Sequence, residues 1–425
     1  MTTEAVNLMI PNVVNPSVMK QNTVNPSPQT LAKFDVVIAG GGMAGSMLAV
    51  ALQQSCPELR LAIVEQHADT APKASFDSRS IALSAGSVTL LQQWGMGQGL
   101  VKHGCPILDI AVSDRGHFAK TWLSAAEYRV PALGQVIEVE HLGAMLSAQL
   151  AQGPAITRFQ PNQIAAIATS EQQHRLSLVD GQQLDCRLLI IAEGGQSATR
   201  KLAAMPVEET PYEQTAIITN LALAKRHNNT AFERFTEHGP MALLPLVDNR
   251  YSLVWTVPPT QAPALLALPE SAFVAKVQQA FGYRAGIFSG CGSRHAYPLV
   301  LRQSPQIVKH RTALLGNSLH NLHPIAGQGF NLALRDIACL SALLAQGGVG
   351  EVGGYWQLRD YAKARQADMQ RVIWLTDALV RTFSTRSRLV ALARNLGLFA
   401  MLLCDDLKTP LARQTMGFGA PYAKS

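Results

Sequence analysis

The chain has 425 residues, 48% of them hydrophobic and 15% charged, which excludes a disordered chain and exceeds what one ordinary domain needs. Its formal net charge of +7 suits an anionic cofactor or an anionic lipid surface. Nucleic acid is the weakest interpretation, because only 6% of the residues are aromatic and the Lys and Arg residues are scattered.

The six cysteines have no Cys-x-x-Cys spacing, the pattern of common zinc and redox motifs. We expect small buried side chains in a reducing compartment.

Residues 1–33 are predicted to form a flexible tail. Glu4 comes early, and Asn and Pro interrupt the apolar residues up to Lys33, which is not the pattern of a secretory signal. No window reaches the roughly 18 uninterrupted apolar residues of a membrane span. We therefore expect a cytoplasmic protein, and peripheral contact with the inner face of the membrane stays open.

The fold is predicted to begin with the strand Phe34–Ala39, an apolar and β-branched run. Three glycines separate this strand from a predicted helix over Met43–Gln54. A second predicted strand, Leu59–Val64, ends at Glu65. The order strand, glycine turn, helix and strand with an acidic tip is typical of a nucleotide-binding α/β fold.

The segments that follow alternate between helical and strand-like patterns. Helices are predicted within 76–94 after a turn, within 135–150 after a short entry, and from about 355 onward. Strands are predicted within 106–122, 164–191 and 215–257. A short strand, Ala313–Leu315, leads into a glycine-rich loop and a helix from about Gly329.

This order predicts an α/β fold with a Rossmann-like domain, an inserted β-rich substrate domain and C-terminal helices. The predicted boundaries are 34–105, 130–202 and 304–345 for the Rossmann-like domain, 106–129 and 203–303 for the inserted domain, and 346–425 for the helical region.

The turn after the first strand, GGGMAG from Gly40, fits the dinucleotide pattern G-x-G-x-x-G. Gly40 permits the tight turn, Gly42 lets the backbone approach a pyrophosphate, and Gly45 allows close packing of helix on strand. Glu65 follows about 20 residues later, as expected for the acid that accepts hydrogen bonds from the adenosine ribose. The helix N-terminus adds free N–H groups and a positive dipole end. Together these features predict a bound dinucleotide.

A second literal match to the pattern, Gly348–Gly353, follows the helical run Ile337–Gln346 and has no predicted strand before it. We interpret it as a loop between helices. One dinucleotide fold is therefore predicted, which argues against reductases that hold two nucleotides on separate Rossmann units.

Residues 316–331 form the most informative stretch. Asn317 can hydrogen-bond a ribityl or phosphate oxygen, and Pro324, Gly327 and Gly329 shape a loop that brings backbone N–H groups close to a flat ring. The helix that follows would point its positive end at that ring. Because reduced flavin carries negative charge, this placement favours a flavin.

With these motifs the chain resembles the single-component flavin aromatic hydroxylases, and within them the branch that serves ubiquinone biosynthesis. The segments that carry the resemblance span nearly everything after the tail; they are GGGMAGSMLA, FDSRSIALSAGS, VSDRGHF, LGQVIEVEHLG, PYEQTAI, AFERFTEHGPMALLPL and GNSLHNLHPIAGQGFNLALRD.

The resemblance implies FAD as cofactor, NAD(P)H as co-substrate, O₂, and roles for particular positions. Arg79 resembles an arginine that braces FAD, and Gln135 a glutamine that contacts the cofactor. Glu193 and Gly194 occupy a motif that usually reads Asp-Gly and serves both FAD and NAD(P)H, so the longer Glu193 is a departure. Asn317 replaces an Asp of the wider class; losing the charge-assisted bond costs about 1 kcal/mol.

The predicted flavin-face loop consists of Pro324, Gly327, Gln328 and Gly329, and no general base is nominated. The predicted cofactor-binding residues are Gly40, Gly42, Gly45, Glu65, Arg79, Gln135, Glu193, Gly194, Gly316, Asn317, Gly329 and Asn331.

Plainer interpretations of several residues stay open. Arg79 could be a surface ion-pair residue and Gln135 an ordinary residue at a helix start. His320 and His323 are three apart, but no nearby carboxylate or cysteine completes a metal site, so we expect loop shaping or flavin contact and no metal. The C-terminal arginines suit a solvated helix face, a membrane or a partner.

The implied function is hydroxylation of the aromatic ring of a prenylated phenol in ubiquinone biosynthesis, with contact to a membrane or a biosynthetic complex. The alternatives are another ring position in the same pathway, a flavin-dependent reductase of isoprenoid chains, and a non-catalytic flavin-binding subunit.

Overall fold

The structure, a computed structural model, describes residues 31–68, 79–114, 120–153, 156–322, 327–384 and 416. The predicted N-terminal tail lies outside the described residues as far as residue 30. The first strand begins at Ala32, earlier than the predicted start at Phe34, because Ala32 and Lys33 already pair with Leu184 and Asp185.

The strands are numbered in chain order. They are β1 (Ala32–Ala39), β2 (Leu61–Val64), β3 (Ser80–Ser84), β4 (Cys105–Ile107), β5 (Asp109–Asp114), β6 (Lys120–Ser124), β7 (Gly134–Glu138), β8 (Thr157–Phe159), β9 (Ile164–Thr169), β10 (His174–Leu178), β11 (Gln183–Ile191), β12 (Glu208–Leu223), β13 (Thr230–Thr236), β14 (Gly239–Leu246), β15 (Arg250–Val257), β16 (Phe288–Cys291), β17 (His295–Gln303), β18 (Val308–Lys309), β19 (Thr312–Leu314) and β20 (His320–Asn321).

The α-helices are numbered in the same way. They are α1 (Met43–Ser55), α2 (Ala85–Leu91), α3 (Gly97–His103), α4 (Val139–Gln152), α5 (Ala198–Leu202), α6 (Ala262–Leu266), α7 (Glu270–Phe281), α8 (Gln328–Gly347) and α9 (Tyr355–Ser384). A π-helical turn, Gln92–Met96, joins α2 to α3.

A first sheet with the strand order β18-β19-β11-β1-β2-β8 carries the glycine turn, and β10 and β9 extend it from β11. β1 runs parallel to both neighbours, so Val36 pairs with Leu61 on one side and Leu188 on the other. The residues from Val36 to Ala39 have no exposed surface. A strand covered on both faces requires a continuous apolar run, which is why this segment was readable from sequence.

A second sheet with the order β20-β17-β12-β15-β14-β13-β5-β6 forms the β-rich part, and β16 pairs with β12. Its neighbouring strands are antiparallel except for the parallel pair β13 and β5. Helix α7 covers one face, where Phe273, Val277 and Phe281 pack with Leu243 and Leu253.

A small sheet with the order β3-β7-β4 lies against the other face of the second sheet. Ile107 and Val136 from the small sheet pack with Ala231 and Leu246 from the second sheet. The side of the second sheet opposite to α7 is therefore covered by the small sheet.

Most of the predicted elements are confirmed, and three predictions need correction. Within 76–94, the described residues open with the strand Ser80–Ser84 before α2 begins. The predicted helix over 135–150 begins only at Val139, because residues up to Glu138 pair with β3. Helices α6 and α7 were not predicted. The region Gly348–Gly353 lies between α8 and α9, as predicted.

Candidate active site

The three fingerprint glycines meet three different requirements. Gly40 has φ +103°, and a Cβ there would lie 2.7 Å from the Ala192 carbonyl oxygen. A Cβ at Gly45 would lie 2.0 Å from the Gly40 carbonyl oxygen. Gly42 caps α1 with an ordinary φ of −68°, and a Cβ there would meet nothing within 4 Å. The space beside Gly42 is thus the cradle that a side chain would fill and that a pyrophosphate needs.

Glu65 follows β2 and closes the same turn. Its carboxylate accepts hydrogen bonds from the backbone N–H of Gly41 at 2.6 Å and of His67 at 2.8 Å. The acid predicted for the ribose therefore lies beside the predicted pyrophosphate position.

A cleft of about 910 Å³ extends from this turn, which is large enough for a nucleotide cofactor. Its lining includes residues of the glycine turn, the end of β2, the loop after β11 and the start of α8: Gly40, Gly42, Glu65, Glu193, Gly194, Asn317, Phe330 and Ala333, among others. Asn317 thus shares one cleft with five other residues that the sequence predicts to bind the cofactor.

Glu193 uses its carboxylate on the start of α5. It accepts hydrogen bonds from the Ser197 hydroxyl at 2.6 Å, the Thr199 hydroxyl at 2.5 Å and the Thr199 N–H at 3.0 Å. The extra methylene relative to Asp gives the side chain its reach to this helix end. Gly194, with φ +87°, completes the turn beside the cleft.

A buried arginine that the sequence did not single out ties this turn to residues 316–318. Arg200 is 2% exposed and donates to the carbonyl oxygens of Ser318 at 2.7 Å and Gly195 at 2.8 Å. The Ser318 hydroxyl accepts from the Gly194 N–H at 3.0 Å. Gly316 has φ +57°, and Asn317 is exposed to the cleft. No pattern marked Arg200, because it lies in an ordinary polar segment far from residue 318.

The flavin-face loop is described from Gly327 onward, and Pro324 and His323 lie outside the described residues. Gly327 has φ +60°, and a Cβ there would lie 3.0 Å from the Ala82 Cβ on β3. A Cβ at Gly329 would meet nothing within 4 Å, which leaves room for a flat ring over the start of α8. Gln328 is buried.

Asn331 holds this loop against β3. Its side-chain amide donates to the carbonyl oxygens of Ala82 at 2.8 Å and Gly327 at 2.7 Å, and its oxygen accepts from the Ser84 N–H at 2.8 Å. Both amide hydrogens are used in these bonds. The Asn331 side chain therefore fixes Gly327 against β3, and its contact with the cofactor stays a prediction.

Arg79 and Gln135 are absent from the described lining of the cleft. The Gln135 amide donates to the Leu100 carbonyl oxygen at 2.8 Å and faces α3. The Arg79 guanidinium lies 5.8 Å from the centre of the Tyr297 ring on β17. Gln135 thus braces a helix, whereas Arg79 spans from β3 to the second sheet.

His320 is buried and bonds to Asp336 on α8 at 2.7 Å, so it does not point at the cleft as a flavin contact. Asp336 also binds Arg365 of α9 at 2.7 Å. Across the part of the chain that the structure describes, no group of three metal-ligating side chains is found.

The geometry fits FAD. The open position at Gly42 lies at the positive end of α1, the acid Glu65 stands beside it, and the open position at Gly329 lies at the start of α8. Both helix ends present N–H groups to negative charge, one for a pyrophosphate and one for a reduced flavin ring.

The comparisons with known proteins agree with this geometry. A model of the FAD binding domain family matches residues 33–376. Ubiquinone hydroxylase UbiL of Rhodospirillum rubrum is 35% identical over 385 residues, which cover 90% of this chain and 89% of the relative. The 3-demethoxyubiquinol 3-hydroxylase of Escherichia coli is 30% identical over 388 residues, which cover 90% of this chain and 98% of the relative.

Among solved structures, HpxO of Klebsiella pneumoniae complexed with FAD superimposes with a TM-score of 0.72 at 18% identity, over 91% of this chain and 99% of that chain. This likeness supports the fold. The family match and the two relatives support more, and the chain belongs to the FAD-binding flavin hydroxylases that include the ubiquinone hydroxylases; it is an FAD-dependent monooxygenase.

Proposed function

We propose that this protein hydroxylates the aromatic ring of a prenylated phenol in ubiquinone biosynthesis, using NAD(P)H and O₂. The observation that carries the proposal is the joint presence of the glycine-turn cleft and the open position at Gly329, in a chain whose relatives are named ubiquinone hydroxylases. We take 2-octaprenyl-6-methoxyphenol as the favoured substrate, on the branch-specific segments of the sequence.

FAD supplies the redox chemistry, and the residues of this chain bind and orient it. The N–H groups at the start of α1 would hold the pyrophosphate, and Glu65 would accept from the ribose hydroxyls. Asn317 would hydrogen-bond the ribityl or phosphate region. The backbone around Gly329 would lie against the ring.

Three predicted contacts become positioning residues in this proposal. Asn331 fixes Gly327 on β3, Glu193 caps α5 beside the cleft, and Gln135 anchors α3. The contacts of Asn331 and Glu193 keep the turns around the cofactor rigid, and the contact of Gln135 fixes α3.

A membrane surface is the proposed place of work, because burial of a polyprenyl tail is worth about 0.8 kcal/mol per CH₂ and confines the substrate to lipid. Among the described helices, none has the length and apolar character to cross a bilayer. The exposed face of α9 offers a docking surface, which we call the α9 stripe: Tyr355, Trp356, Arg359, Lys363, Arg371 and Trp374.

The α9 stripe has the composition of a membrane-interface helix face. Trp356 and Trp374 are 64% and 72% exposed, and 18 residues make five helical turns, so both lie on one side about 27 Å apart. The Arg359 guanidinium lies 4.3 Å from the centre of the Trp356 ring. Aromatic rings with interspersed cations suit an anionic headgroup layer.

Two measurements test the proposed function. Purified protein is supplied with NAD(P)H, O₂ and a short-chain prenylated methoxyphenol, and we expect phenol-dependent O₂ consumption with a hydroxylated ring. A saturated prenyl chain formed without O₂ would identify the isoprenoid reductase instead. In a deletion strain grown in air, we expect a prenylphenol to accumulate; normal ubiquinone without such accumulation would overturn the pathway assignment, unless a second hydroxylase covers the step.

A further inference from the structure

Glu233 on β13 carries a buried carboxyl group that the proposed cofactor site does not use. The neighbours of Glu233, Phe232 and Arg234, face α7, where the Phe281 ring lies 5.7 Å from the Phe232 ring and 5.9 Å from the Arg234 guanidinium. Ala231 packs on the opposite side, against the small sheet. Because side chains alternate along a strand, Glu233 shares the face of Ala231.

This face of the second sheet looks toward the flavin-face loop. The register leads from Glu233 through Ala242 across the sheet to β17, where Tyr297 lies on the same face. Arg79, which directly precedes β3, stands over the Tyr297 ring. Since Gly327 packs against Ala82 of β3, the flavin-face loop lies on the same side of the second sheet as Glu233.

Four oxygens on this face are buried without a hydrogen-bond partner among the described residues. They are the Glu233 Oε1, the Thr121 Oγ1, the Thr256 Oγ1 and the Asn220 Oδ1. Thr121 is 3% exposed and Thr256 has no exposed surface. Glu233 is half-buried as a residue, but its Oε1 is buried. Unpaired buried oxygens are costly, and four on one face require an explanation.

The positions around these oxygens are apolar. Ala242, Val254 and Ile218 lie in the same row of the sheet as Glu233, by strand register. A ligand that suits such a wall is flat and apolar and carries a few hydroxyl or ether oxygens. A methoxyphenol ring has this chemistry.

We propose that Glu233 binds the ring hydroxyl of the phenol and selects a ring with a free hydroxyl, an inference that rests on the proposed function. The carboxylate accepts a hydrogen bond from the O–H, and a charge-assisted bond of this kind is stronger than a neutral one. An O-methylated ring cannot donate and leaves the carboxylate unpaired, which a site built for a hydroxyl penalises strongly.

The experiment compares the binding of two probes to the FAD-loaded protein. One probe is 2-methoxyphenol with a short prenyl chain, and the other is the same molecule with its ring hydroxyl methylated. Dissociation constants come from the change in flavin absorbance. We expect the native protein to prefer the free phenol by about tenfold or more. Glu233→Leu abolishes the preference, and Glu233→Gln, which still accepts a hydrogen bond, keeps part of it.

The matched control is Glu237→Gln, four residues further on the same hairpin, where the side chain is 63% exposed; its preference should equal that of the native protein. If Glu233 had only a structural role, its replacement would lower the thermal stability of the protein. If it is an unpaired substrate-binding carboxyl, we expect Glu233→Leu to keep the thermal stability of the native protein. If Glu233→Leu does not fold, Glu233→Gln takes its place. A reduced preference of this variant for the free phenol supports the proposal, and an unchanged preference overturns it.

Binding of both probes with the preference intact in Glu233→Leu overturns this inference alone. Failure of the native protein to bind either probe overturns the proposed function together with it.

Discussion

Gly42 and Gly45 lie three residues apart in one turn, yet their surroundings differ enough to separate cofactor binding from folding. Gly42→Val places its side chain in open space at an ordinary φ, so we expect a folded protein whose FAD content falls by at least about tenfold. Gly45→Val drives a side chain into the Gly40 carbonyl, so we expect a loss of several kcal/mol, on the order of 3 or more. Flavin absorbance per folded protein and circular dichroism measure the two effects. A Gly42→Val protein that retains FAD would contradict the assigned cradle.

The second prediction concerns the open position at Gly329. In Gly329→Leu we expect FAD to stay bound while hydroxylation falls by at least about tenfold. A Cβ at this position meets nothing within 4 Å, and the leucine side chain would project over the ring face that must receive O₂ and the phenol. The ratio of O₂-dependent product to bound flavin measures this. Unchanged turnover would remove the loop from the active site.

Glu233 predicts a pH-dependent stability difference. Burial raises the pKa of Glu233 to about 7, so its folded-state pKa exceeds that of the unfolded chain. Its contribution to stability is complete below the ordinary pKa of Glu and is lost as the pH rises through about 7. Glu233→Gln does not titrate, so the variant should gain stability over the native protein between pH 5 and pH 8, by at most about 3 kcal/mol.

Thermal unfolding of the FAD-loaded proteins at the two pH values tests this. Burial is the cause that raises the pKa of Glu233, in a strand that packs against β5, β14 and α9. β14 carries no titratable side chain, Arg234 lies on the other face, and Asp109 on β5 accepts a hydrogen bond from Trp122. A stability difference that stays constant with pH would show that Glu233 does not titrate in this range.

The roles of single residues were predictable where they depend on local backbone geometry. Gly40, Gly42 and Gly45 are identified by spacing, because turn, cradle and packing requirements fall at fixed offsets along one strand–helix junction. The side-chain partners of Asn331 and Glu193 were not predicted, because they are set by tertiary contacts such as the one between α8 and β3. Spacing along the chain carries no information about such partners.

At the scale of elements, α8 and α9 are joined by a buried ionic network behind the cleft. Asp336 has no exposed surface and binds both His320 and Arg365, and Asp368 binds Arg335 and Arg365 at 2.8 Å each. Burial alone would raise the pKa of Asp336, but His320 and Arg365 lower it below the ordinary value. The stability that Asp336 contributes is therefore present above the ordinary Asp pKa and is lost as the pH falls.

Arg365→Met should destabilise the protein by about 3–5 kcal/mol, because it leaves Asp336 buried with one partner fewer. The control is Arg359→Met on the same helix, where the ion pair with Asp360 is 48% exposed on both sides and should matter by at most about 1 kcal/mol. Denaturant unfolding monitored by tryptophan fluorescence measures both. Equal losses in the two variants would show that burial does not set the strength of this network.

Elements were predictable where one pattern dominates. β1 reads as a strand because both faces are covered, and α8 begins at a glycine-rich loop. β3 and β7 were read as a turn and as the entry to a helix, since each is five residues long and passes directly into α2 or α4. A short strand next to a helix has too few residues for its alternation to compete with the helical pattern.

At the scale of the whole molecule, the site is assembled from segments far apart in the chain. The glycine turn near residue 42 shares a cleft with Asn317, and Glu233 lies on an inserted strand, on the face of the second sheet that the small sheet covers. Sequence motifs identify the glycine turn and Asn317, because a shared cofactor fixes the spacing of the residues that bind it. The Glu233 face follows only from the register of five strands, which a single sequence does not reveal.

The α9 stripe makes the last prediction, because it sets how the whole molecule meets its lipid-dissolved substrate. We expect the protein to float with vesicles that contain anionic lipid, and less so with neutral vesicles or in high salt. The double variant Lys363→Glu with Arg371→Glu reverses two charges between the two tryptophans. At about 1 kcal/mol per basic residue near an anionic surface, binding should fall by roughly ten- to a hundredfold.

The matched control reverses two exposed charges elsewhere, Lys225→Glu with Arg226→Glu in the loop between β12 and β13, and changes the net charge equally. If this control weakens flotation as much as the α9 variant, net charge and not the α9 stripe drives binding. Trp356→Ala with Trp374→Ala should also weaken binding to anionic vesicles, but without changing its salt dependence, since the rings contribute apolar contact and not charge. Hydroxylation of a water-soluble short-chain phenol should stay unchanged in both α9 variants, because the stripe lies on the exposed face of α9 and away from the cleft.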